Sequence, residues 1–262
     1  MSAAASRIYG ALICSALLGA GAVASTNSRA ADIYDDAVQH PGRSAKDLKR
    51  DTLEHPADIL RLAGIKPGTR VADVLAADGY YSELVSYVVG PKGHVLLLNN
   101  KAYDDWSEGQ FETRLAGNRL PNVEHRTVDL EHLDLPAASL DALVVVKVYH
   151  DLYWVDTDPK TTWPKMDPNV VLNQLTRVLK PGGILLIVDH SARAGTGSAD
   201  AGTLHRIDEA YTKQDFEKRG FELVGKSDLL RIPADKRDQI SYKPPMLGKT
   251  DRFVLVFKKK AG

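Results

Sequence analysis

The sequence predicts an α/β protein with a parallel sheet covered by helices on both faces, and three observations support that fold class. Short apolar segments typical of strands alternate along the chain with segments of helical periodicity. Residues 142–148 are rich in valine, as expected for a central parallel strand that is buried on both sides. With 262 residues and 44% hydrophobic side chains, the chain can build one large domain, and a second full domain is not expected.

The first βα unit, residues 64–83, is the most informative segment. A turn at residues 66–68 leads into a buried apolar strand at residues 70–76, which is interrupted by Asp73. A tight turn then leads into a helix from Tyr80 to Val89, whose apolar side chains recur on one face. In an open α/β sheet, a nucleotide-type ligand binds at such a strand-to-helix turn. This unit therefore predicts the position of the ligand crevice.

The remaining elements follow the same alternation. A polar, partly helical lead-in is expected over residues 32–50, and a helix with Pro56 near its start precedes Gly64. Further strands are predicted at residues 94–98, 123–128, 142–148, 184–188, 221–226 and 252–258. Helices are predicted at about residues 169–179 and 212–219, the second ending at Gly220.

The N-terminal segment predicts export. Arg7 precedes an apolar run from Ile8 to Ala24, and a small, polar stretch follows, which is the layout of a secretory signal peptide. We expect a signal peptide over residues 1–30, cleaved after Ala30 or Ala24, and a mature domain over residues 31–262. The mature protein is expected to be periplasmic, without stable membrane insertion. Cys14 is the only cysteine and lies inside the signal, so the mature domain would form no disulfide.

The balance of positive and negative charges limits the classes of binding partner that are expected. Lys and Arg together number 34, as do Asp and Glu, and no basic stripe or block is present. Nucleic acid is therefore disfavoured as a principal partner. We expect a small-molecule substrate, and the sequence leaves the oligomeric state open.

The turn after the first strand carries a family resemblance. Residues 73–79 read Asp-Val-Leu-Ala-Ala-Asp-Gly, and residues 179–183 read Leu-Lys-Pro-Gly-Gly ahead of the strand at 184–188. This arrangement resembles the class I S-adenosylmethionine-dependent methyltransferases, whose first strand leads into an Asp-x-Gly-x-Gly-x-Gly loop, although only the last glycine is present here. The resemblance implies a Rossmann-like three-layer αβα sandwich with a mostly parallel seven-stranded sheet whose last strand is antiparallel.

A narrower resemblance covers roughly residues 50–258. The segments Tyr-His-Asp-Leu at residues 149–152 and Leu-His-Arg-Ile-Asp at residues 204–208 are similar to those of a group of bacterial exported predicted methyltransferases. The activity of that group is itself an inference from its fold. The resemblance therefore supports the fold more firmly than the reaction.

The resemblance implies S-adenosylmethionine as the cofactor, bound at the carboxyl ends of the first strands. After the second strand the family usually places an acid that binds the ribose hydroxyls. Here Asn99 and Asn100 stand there, and they can hydrogen-bond a diol without charge assistance. Leu75 replaces a loop glycine, so it either takes up part of the cofactor's volume or turns into the core. The predicted cofactor-binding residues are Asp73, Ala77, Gly79, Tyr80, Asn99, Asn100 and, near the adenine amino group, Asp129.

Two His-Asp pairs follow neighbouring strands of the predicted sheet. His150 and Asp151 come after the fourth strand, and Asp189 and His190 after the fifth. Because the carboxyl ends of parallel strands meet at one edge, we predict a catalytic acid/base site in which one histidine is the base and one aspartate orients it. The predicted substrate-binding residues are Tyr149, His205, Arg206 and Asp208.

Three functions remain open from the sequence. The first is an S-adenosylmethionine-dependent methyltransferase acting on a small molecule. The second is a non-catalytic periplasmic binding or scaffold relative, which Leu75, Ala77 and Asn99 favour. The third is a metal-assisted hydrolase that uses the His-Asp cluster. No His-x-x-x-His or Cys-based spacing is present, so the sequence predicts no structural zinc site.

Overall fold

The computed structural model describes residues 32–156 and 158–261, and the predicted signal peptide lies outside them. The described residues form one seven-stranded sheet. Its strands are β1 (Arg70–Val74), β2 (His94–Asn99), β3 (Val123–Thr127), β4 (Leu140–Val146), β5 (Leu179–His190), β6 (Phe221–Ser227) and β7 (Arg252–Lys259). The strand order is β3-β2-β1-β4-β5-β7-β6. The first five strands pair in parallel, and β7 is antiparallel to both of its neighbours, which confirms the predicted fold.

Helices pack on both faces of this sheet. They are α1 (Ile33–Val38), α2 (Ala45–Glu54), α3 (Pro56–Ala63), α4 (Tyr80–Val89), α5 (Lys101–Trp106), α6 (Gln110–Leu115), α7 (Pro168–Val178), α8 (Ala201–Leu204) and α9 (Glu209–Lys218). Within the described parts of the chain, no helix is long and apolar enough to cross a membrane.

Successive side chains of the central strands face opposite helical layers because a strand repeats every two residues. Val71 and Val144 pack in the core shared with α3 and α4. Ala72 and Leu143 pack in the core shared with α7 and α9. Both faces of β1 and β4 are therefore buried, which explains why their sequences are mostly apolar, Asp73 excepted in the middle of β1, rather than alternating.

The topology fixes the ligand edge. The strand order reverses between β1 and β4, and a ligand crevice lies beyond the carboxyl ends of the strands at such a point. The turn after β1 (residues 75–79) and the segments after β2, β4 and β5 therefore share this edge.

Most predicted elements agree with the structure, and the main differences lie in polar segments. Helix α4 has the predicted bounds, because Gly79 with φ 77° begins it and Gly90 ends it. Strand β5 begins at Leu179 instead of Ile184, because Leu179 already pairs with Leu140 ahead of a register irregularity. The sequence analysis missed α5 and α6, which are short and carry little buried apolar surface.

Candidate functional site

The turn after β1 has the backbone shape of a glycine-rich loop with only one glycine. Leu75, Ala77 and Gly79 adopt positive φ values of 51°, 54° and 77°, in the left-handed region that usually favours glycine. The Leu75 side chain is only 2% exposed and packs in the core shared with α7 and α9. Of the two arrangements expected for Leu75, the structure shows the one in which its side chain turns into the core.

Two predicted cofactor residues hold this turn in place. Asn99 is fully buried, and its Nδ2 donates to the carbonyl oxygen of Ala77 (3.1 Å) while its Oδ1 accepts from the backbone N–H of Ala77 (2.9 Å). Asp73 is also buried and accepts a hydrogen bond from Ser82 Oγ at the start of α4 (2.7 Å). Burial raises the pKa of Asp73 to about 7, although the Ser82 hydrogen bond lowers it. Both side chains therefore hold the turn or the start of α4 in place, and their direct contact with a cofactor stays a prediction.

Asn100 differs from its neighbour. Its Oδ1 accepts from the backbone N–H of Tyr103 (2.9 Å) and thereby caps α5. Its Nδ2 is buried and has no hydrogen-bond partner among the described residues. A buried donor without an acceptor costs roughly 1–3 kcal/mol, so it marks a place where a bound molecule could supply the acceptor.

The other predicted cofactor residues have partners within the protein. The Tyr80 hydroxyl donates to Asp51 Oδ1 on α2 (2.5 Å), and the guanidinium of Arg50 lies 3.8 Å from the centre of the Tyr80 ring. Asp129 follows β3 as predicted, but it is exposed and its Oδ2 lies 2.8 Å from Nδ1 of His132. Tyr80 therefore fastens α2 over the turn, and the adenine contact of Asp129 stays a prediction.

The four predicted catalytic residues converge at the ligand edge. His150 lies in a short 3₁₀ helix after β4, and its Nδ1 is 2.7 Å from Asp189 Oδ1 at the end of β5. Its backbone N–H donates to the other oxygen of Asp189 (2.9 Å). On the opposite side of the ring, His150 Nε2 is 3.2 Å from Asp151 Oδ1. The ring centroid of His190 is 5.9 Å from that of His150.

His205 joins this group from the end of α8. Its Nδ1 lies 3.1 Å from Asp151 Oδ1, and its ring centroid is 5.4 Å from that of His150. The backbone at His205 is left-handed, with φ 50°, which ends α8 and turns the side chain towards Asp151. The predicted substrate residue His205 is therefore a member of the His-Asp cluster, defined here as His150, Asp151, Asp189 and His205.

His150 is held as a cation. Burial lowers its pKa, but the charges of Asp151 and Asp189 raise the pKa of His150 to about 10. Burial raises the pKa of Asp151, yet the charge of His150 and hydrogen bonds from His150, His205 and Tyr103 bring it well below its usual range. Both ring nitrogens of His150 face carboxylate oxygens, so the ring has no lone pair for a general base near neutral pH.

His190 has the opposite electrostatic environment. Burial, and then the positive charges of His150 and Lys147, bring the pKa of His190 well below its ordinary value, so the ring is neutral at neutral pH. Its Nδ1 is 2.8 Å from Thr250 Oγ1, and its Nε2 has no hydrogen-bond partner in the described part of the chain. When Nδ1–H donates to Thr250, Nε2 carries the lone pair. Of the two candidate bases, the geometry favours His190.

Three predicted substrate residues have structural roles instead. The Tyr149 hydroxyl donates to Asp215 Oδ2 on α9 (2.7 Å). Arg206 is fully buried, and its guanidinium is paired with Asp235 through contacts of 2.8 and 3.2 Å. Asp208 caps α9 by accepting from the backbone N–H of Ala210 (2.8 Å). The polar atoms of these three side chains have partners within the protein, and their contact with a substrate stays a prediction.

Sequence reasoning missed three residues at this edge. The Tyr103 hydroxyl, from α5, donates to Asp151 Oδ2 (2.6 Å), and Thr250 orients His190. Lys147 directly follows β4 with φ 60°, and its Nζ donates to Glu54 Oε1 (2.8 Å). Burial lowers the pKa of Lys147 to about 8, although Glu54 raises it. The position of Lys147, just after a run of valines and shortly before Tyr-His-Asp, could have identified it from the sequence. Nothing in the sequence singled out Tyr103 or Thr250.

Comparisons with known proteins agree with this geometry. Residues 102–187 match a family model described as a methyltransferase domain. The ubiquinone/menaquinone biosynthesis C-methyltransferase UbiE of Saccharophagus degradans is 25% identical over 132 residues, covering 50% of this chain and 46% of the relative. The same enzyme of Ectopseudomonas mendocina is 30% identical over 145 residues, covering 55% and 47%. The chain thus spans about half the length of these curated relatives.

Solved structures share the fold. A SAM-dependent methyltransferase from Aquifex aeolicus superimposes with a TM-score of 0.57 at 20% identity, covering 81% of this chain and 96% of the other. The [4+2]-cyclase SpnF has a TM-score of 0.55 at 17% identity, covering 79% and 82%. At these identities the structural similarity establishes the fold alone, and the second structure, a cyclase by name, shows that the same fold also carries other reactions.

The cofactor that this family implies, S-adenosylmethionine, suits the residues at the ends of β1 and β2. Residues 75, 77 and 79 have positive φ values of the kind that glycines allow in the family's loop. The unpartnered Nδ2 of Asn100 stands where the family binds the ribose, and a ribose hydroxyl would accept its hydrogen bond. In its fold, its matching methyltransferase domain and these relatives, the chain is similar to the class I S-adenosylmethionine-dependent methyltransferases.

Proposed function

We propose that the chain is an S-adenosylmethionine-dependent methyltransferase that acts on a small-molecule acceptor. The observation that carries the proposal is the left-handed turn at residues 75–79 beside the buried, unpartnered Nδ2 of Asn100. The match to a methyltransferase domain and relatives named as C-methyltransferases support methyl transfer as the reaction. The balance of charges, 34 basic against 34 acidic residues, favours a small acceptor over nucleic acid.

Binding of the cofactor and removal of a proton from the acceptor fall to different residues of the site. S-adenosylmethionine, when bound, supplies a methyl group already activated by its sulfonium. The turn, held by Asn99, and the amide of Asn100 would bind and orient it. His190 Nε2 would accept a proton from the acceptor, with Thr250 fixing the ring through Nδ1. The positive charge of His150, 5.9 Å away between ring centroids, helps to keep His190 neutral, so that Nε2 carries no proton before the acceptor binds.

Isothermal titration of residues 31–262 with S-adenosylmethionine and S-adenosylhomocysteine tests cofactor binding directly. We expect saturable binding of both, with a stoichiometry of one. NAD and ATP serve as control ligands because they also carry an adenosine but lack the amino-acid moiety. No binding of either sulfur compound at millimolar concentration would sink the proposal.

The role of His190 is tested by release of S-adenosylhomocysteine with a panel of phenols and quinols. His190→Gln should lower turnover by roughly 10²–10⁴-fold, because a positioned base contributes that much, while cofactor affinity stays unchanged. His94→Gln, a histidine remote from this edge at the start of β2, is the matched control. Equal turnover of His190→Gln and the unaltered protein would remove His190 as the base.

We also propose that the protein is exported to the periplasm and processed. The apolar run from Ile8 to Ala24 and the small residues that follow support this. Mass spectrometry of protein from the native cell should find a new N-terminus at Ala31 or, after cleavage at the alternative site, at Ser25. Intact N-terminal peptides in a cytoplasmic fraction would contradict export.

A further inference from the structure

Three potential metal-ligand atoms from three residues lie close together in the His-Asp cluster. They are Nε2 of His150, Oδ1 of Asp151 and Nδ1 of His205, and all lie within 4.8 Å of one another. The carboxylate oxygen is 3.2 Å from the first nitrogen and 3.1 Å from the second. Ligand atoms about 2.0–2.2 Å from a tetrahedral metal ion are about 3.3 Å apart, so these separations match a shared cation.

The surroundings of the three donors are those of a metal site. The second nitrogen of His150 faces Asp189 Oδ1 at 2.7 Å, and Asp189 is fully buried. A metal-binding histidine typically has such a carboxylate behind it, which fixes the ring and raises its basicity. The second oxygen of Asp151 accepts from the Tyr103 hydroxyl (2.6 Å), so both oxygens of that carboxylate have fixed directions.

Charge gives an independent reason for a cation here. Asp151 and Asp189 are two buried carboxylates, and within residues 32–156 and 158–261 neither forms an ion pair with a lysine or an arginine. Their close partners are the imidazoles of His150 and His205. Buried carboxylates are stable when they are paired or coordinate a metal, and the imidazolium of His150 sets one positive charge against two negative ones.

We propose that His150, Asp151 and His205 bind a divalent transition-metal cation. Two imidazole nitrogens and one carboxylate oxygen suit Zn²⁺, Fe²⁺, Mn²⁺ or Co²⁺, and they do not suit Ca²⁺ or Mg²⁺, which prefer oxygen ligands. The three ligands come from two separate segments, the 3₁₀ helix after β4 and the end of α8, and β5 supplies the supporting Asp189. This explains why no contiguous metal-binding spacing is present in the sequence. Metal binding releases the proton that His150 Nε2 holds towards Asp151 in the metal-free protein, and the charge of the ion then replaces that of the imidazolium. The proposal is independent of cofactor binding.

Metal titration of tag-free protein after chelator treatment tests the site. Calorimetry with Co²⁺ and Zn²⁺ should give one equivalent bound per chain, and Co²⁺ should add a visible absorption band typical of nitrogen and oxygen ligands. His205→Gln and Asp151→Asn should each weaken binding at least ~10-fold, and Asp189→Asn should weaken it by about 10–100-fold through its effect on His150. Magnesium is the negative-control cation.

His132→Gln is the matched control variant, because His132 and Asp129 form an exposed His-Asp pair outside the cluster. It should bind both metals as the unaltered protein does. Equal binding by His205→Gln, or no binding of Co²⁺, Zn²⁺ or Mn²⁺ to the unaltered protein at millimolar concentration, would overturn the proposal. Should a variant fail to fold, the Tm of the unaltered protein decides: it must rise with metal concentration, and a constant Tm also overturns the proposal.

Discussion

The two halves of the ligand edge handle buried polar groups in opposite ways. At the β1 and β2 end, an uncharged amide holds the turn, with Asn99 bonded to the backbone of Ala77. At the β4 and β5 end, charged groups are packed together, with His150 between Asp151 and Asp189. The first half is a rigid backbone scaffold, and the second concentrates charge next to His190.

Residues that share one edge of the sheet therefore need not share a role. A side chain that only bonds backbone can be changed at a modest cost, because its partner is neutral. Removing one member of a charged network leaves the others buried and uncompensated, which costs more. Substitutions at the two halves should therefore differ in size and in pH dependence.

The largest effect is expected from His150→Ala. The change leaves two buried carboxylates facing a cavity, so we expect the free energy of unfolding to fall by roughly 3–5 kcal/mol. His190→Ala removes one hydrogen bond, to Thr250, and should cost only about 1 kcal/mol. Urea denaturation in metal-free buffer at pH 7 measures both. Losses of equal size would mean that His190 also belongs to the structural network.

Asp73→Asn should change the pH dependence of stability. Burial raises the pKa of Asp73 from 3.8 in the unfolded chain to about 7 in the folded protein. The folded state therefore binds more protons between these values, and stability falls as the pH rises from about 4 to 7. Asparagine removes that loss, so at pH 8 the variant should be more stable by roughly 2–4 kcal/mol, with little difference at pH 4.

Urea denaturation at pH 4, 6 and 8 checks this, with Asp134→Asn as the control because Asp134 is an exposed carboxyl in a loop. A pH profile of Asp73→Asn that parallels that of the unaltered protein would show that Asp73 is ionised in the fold at no cost.

Much of the fold was predictable because local and tertiary preferences agree. The valine-rich β4 and the glycine-bounded α4 are specified by their own residues, so their bounds followed closely from the sequence. Helices α5 and α6 were missed because they bury little apolar surface and show no periodic stripe.

The candidate site was predictable only in part. The convergence of His150 and His190 followed from topology, since parallel strands end at one edge. Their division of roles did not follow, because it depends on partners far along the chain: Asp189 for His150 and Thr250 for His190. Arg206 is a second example, because nothing in the sequence around this arginine indicates that it will be buried and paired with Asp235.

Asn100→Ala tests the β1 and β2 end of the ligand edge. The variant removes the unpartnered Nδ2 but also the cap of α5, so the closer test is Asn100→Asp, which keeps the cap and places a charged acceptor beside the ribose diol. We expect Asn100→Ala to weaken S-adenosylhomocysteine binding by about 10-fold and Asn100→Asp to restore or strengthen it, because charge-assisted hydrogen bonds are stronger. Asn118→Asp, at an exposed position, is the control. Unchanged affinity in Asn100→Ala would separate Asn100 from the cofactor site.

The smallest effect concerns the backbone of the turn itself. Ala77 has φ 54°, whereas the adjacent Ala76 does not lie in the left-handed region. A left-handed non-glycine residue costs roughly 1–2 kcal/mol, and glycine relieves that strain while losing about 0.5–1 kcal/mol through its freedom in the unfolded chain. Ala77→Gly should therefore be neutral or slightly stabilising, whereas Ala76→Gly carries the entropic loss alone, so the two variants should differ by the relieved strain, about 1–2 kcal/mol, in urea denaturation. Ala76 and Ala77 are partly exposed neighbours in one turn, so each variant serves as the control for the other.

Cofactor affinity should be unchanged in Ala77→Gly, because the backbone of Ala77 already has the positive φ that glycine would adopt. Equal destabilisation by the two glycines would show that residue 77 is not left-handed in solution and that the turn lacks the shape on which cofactor binding is argued.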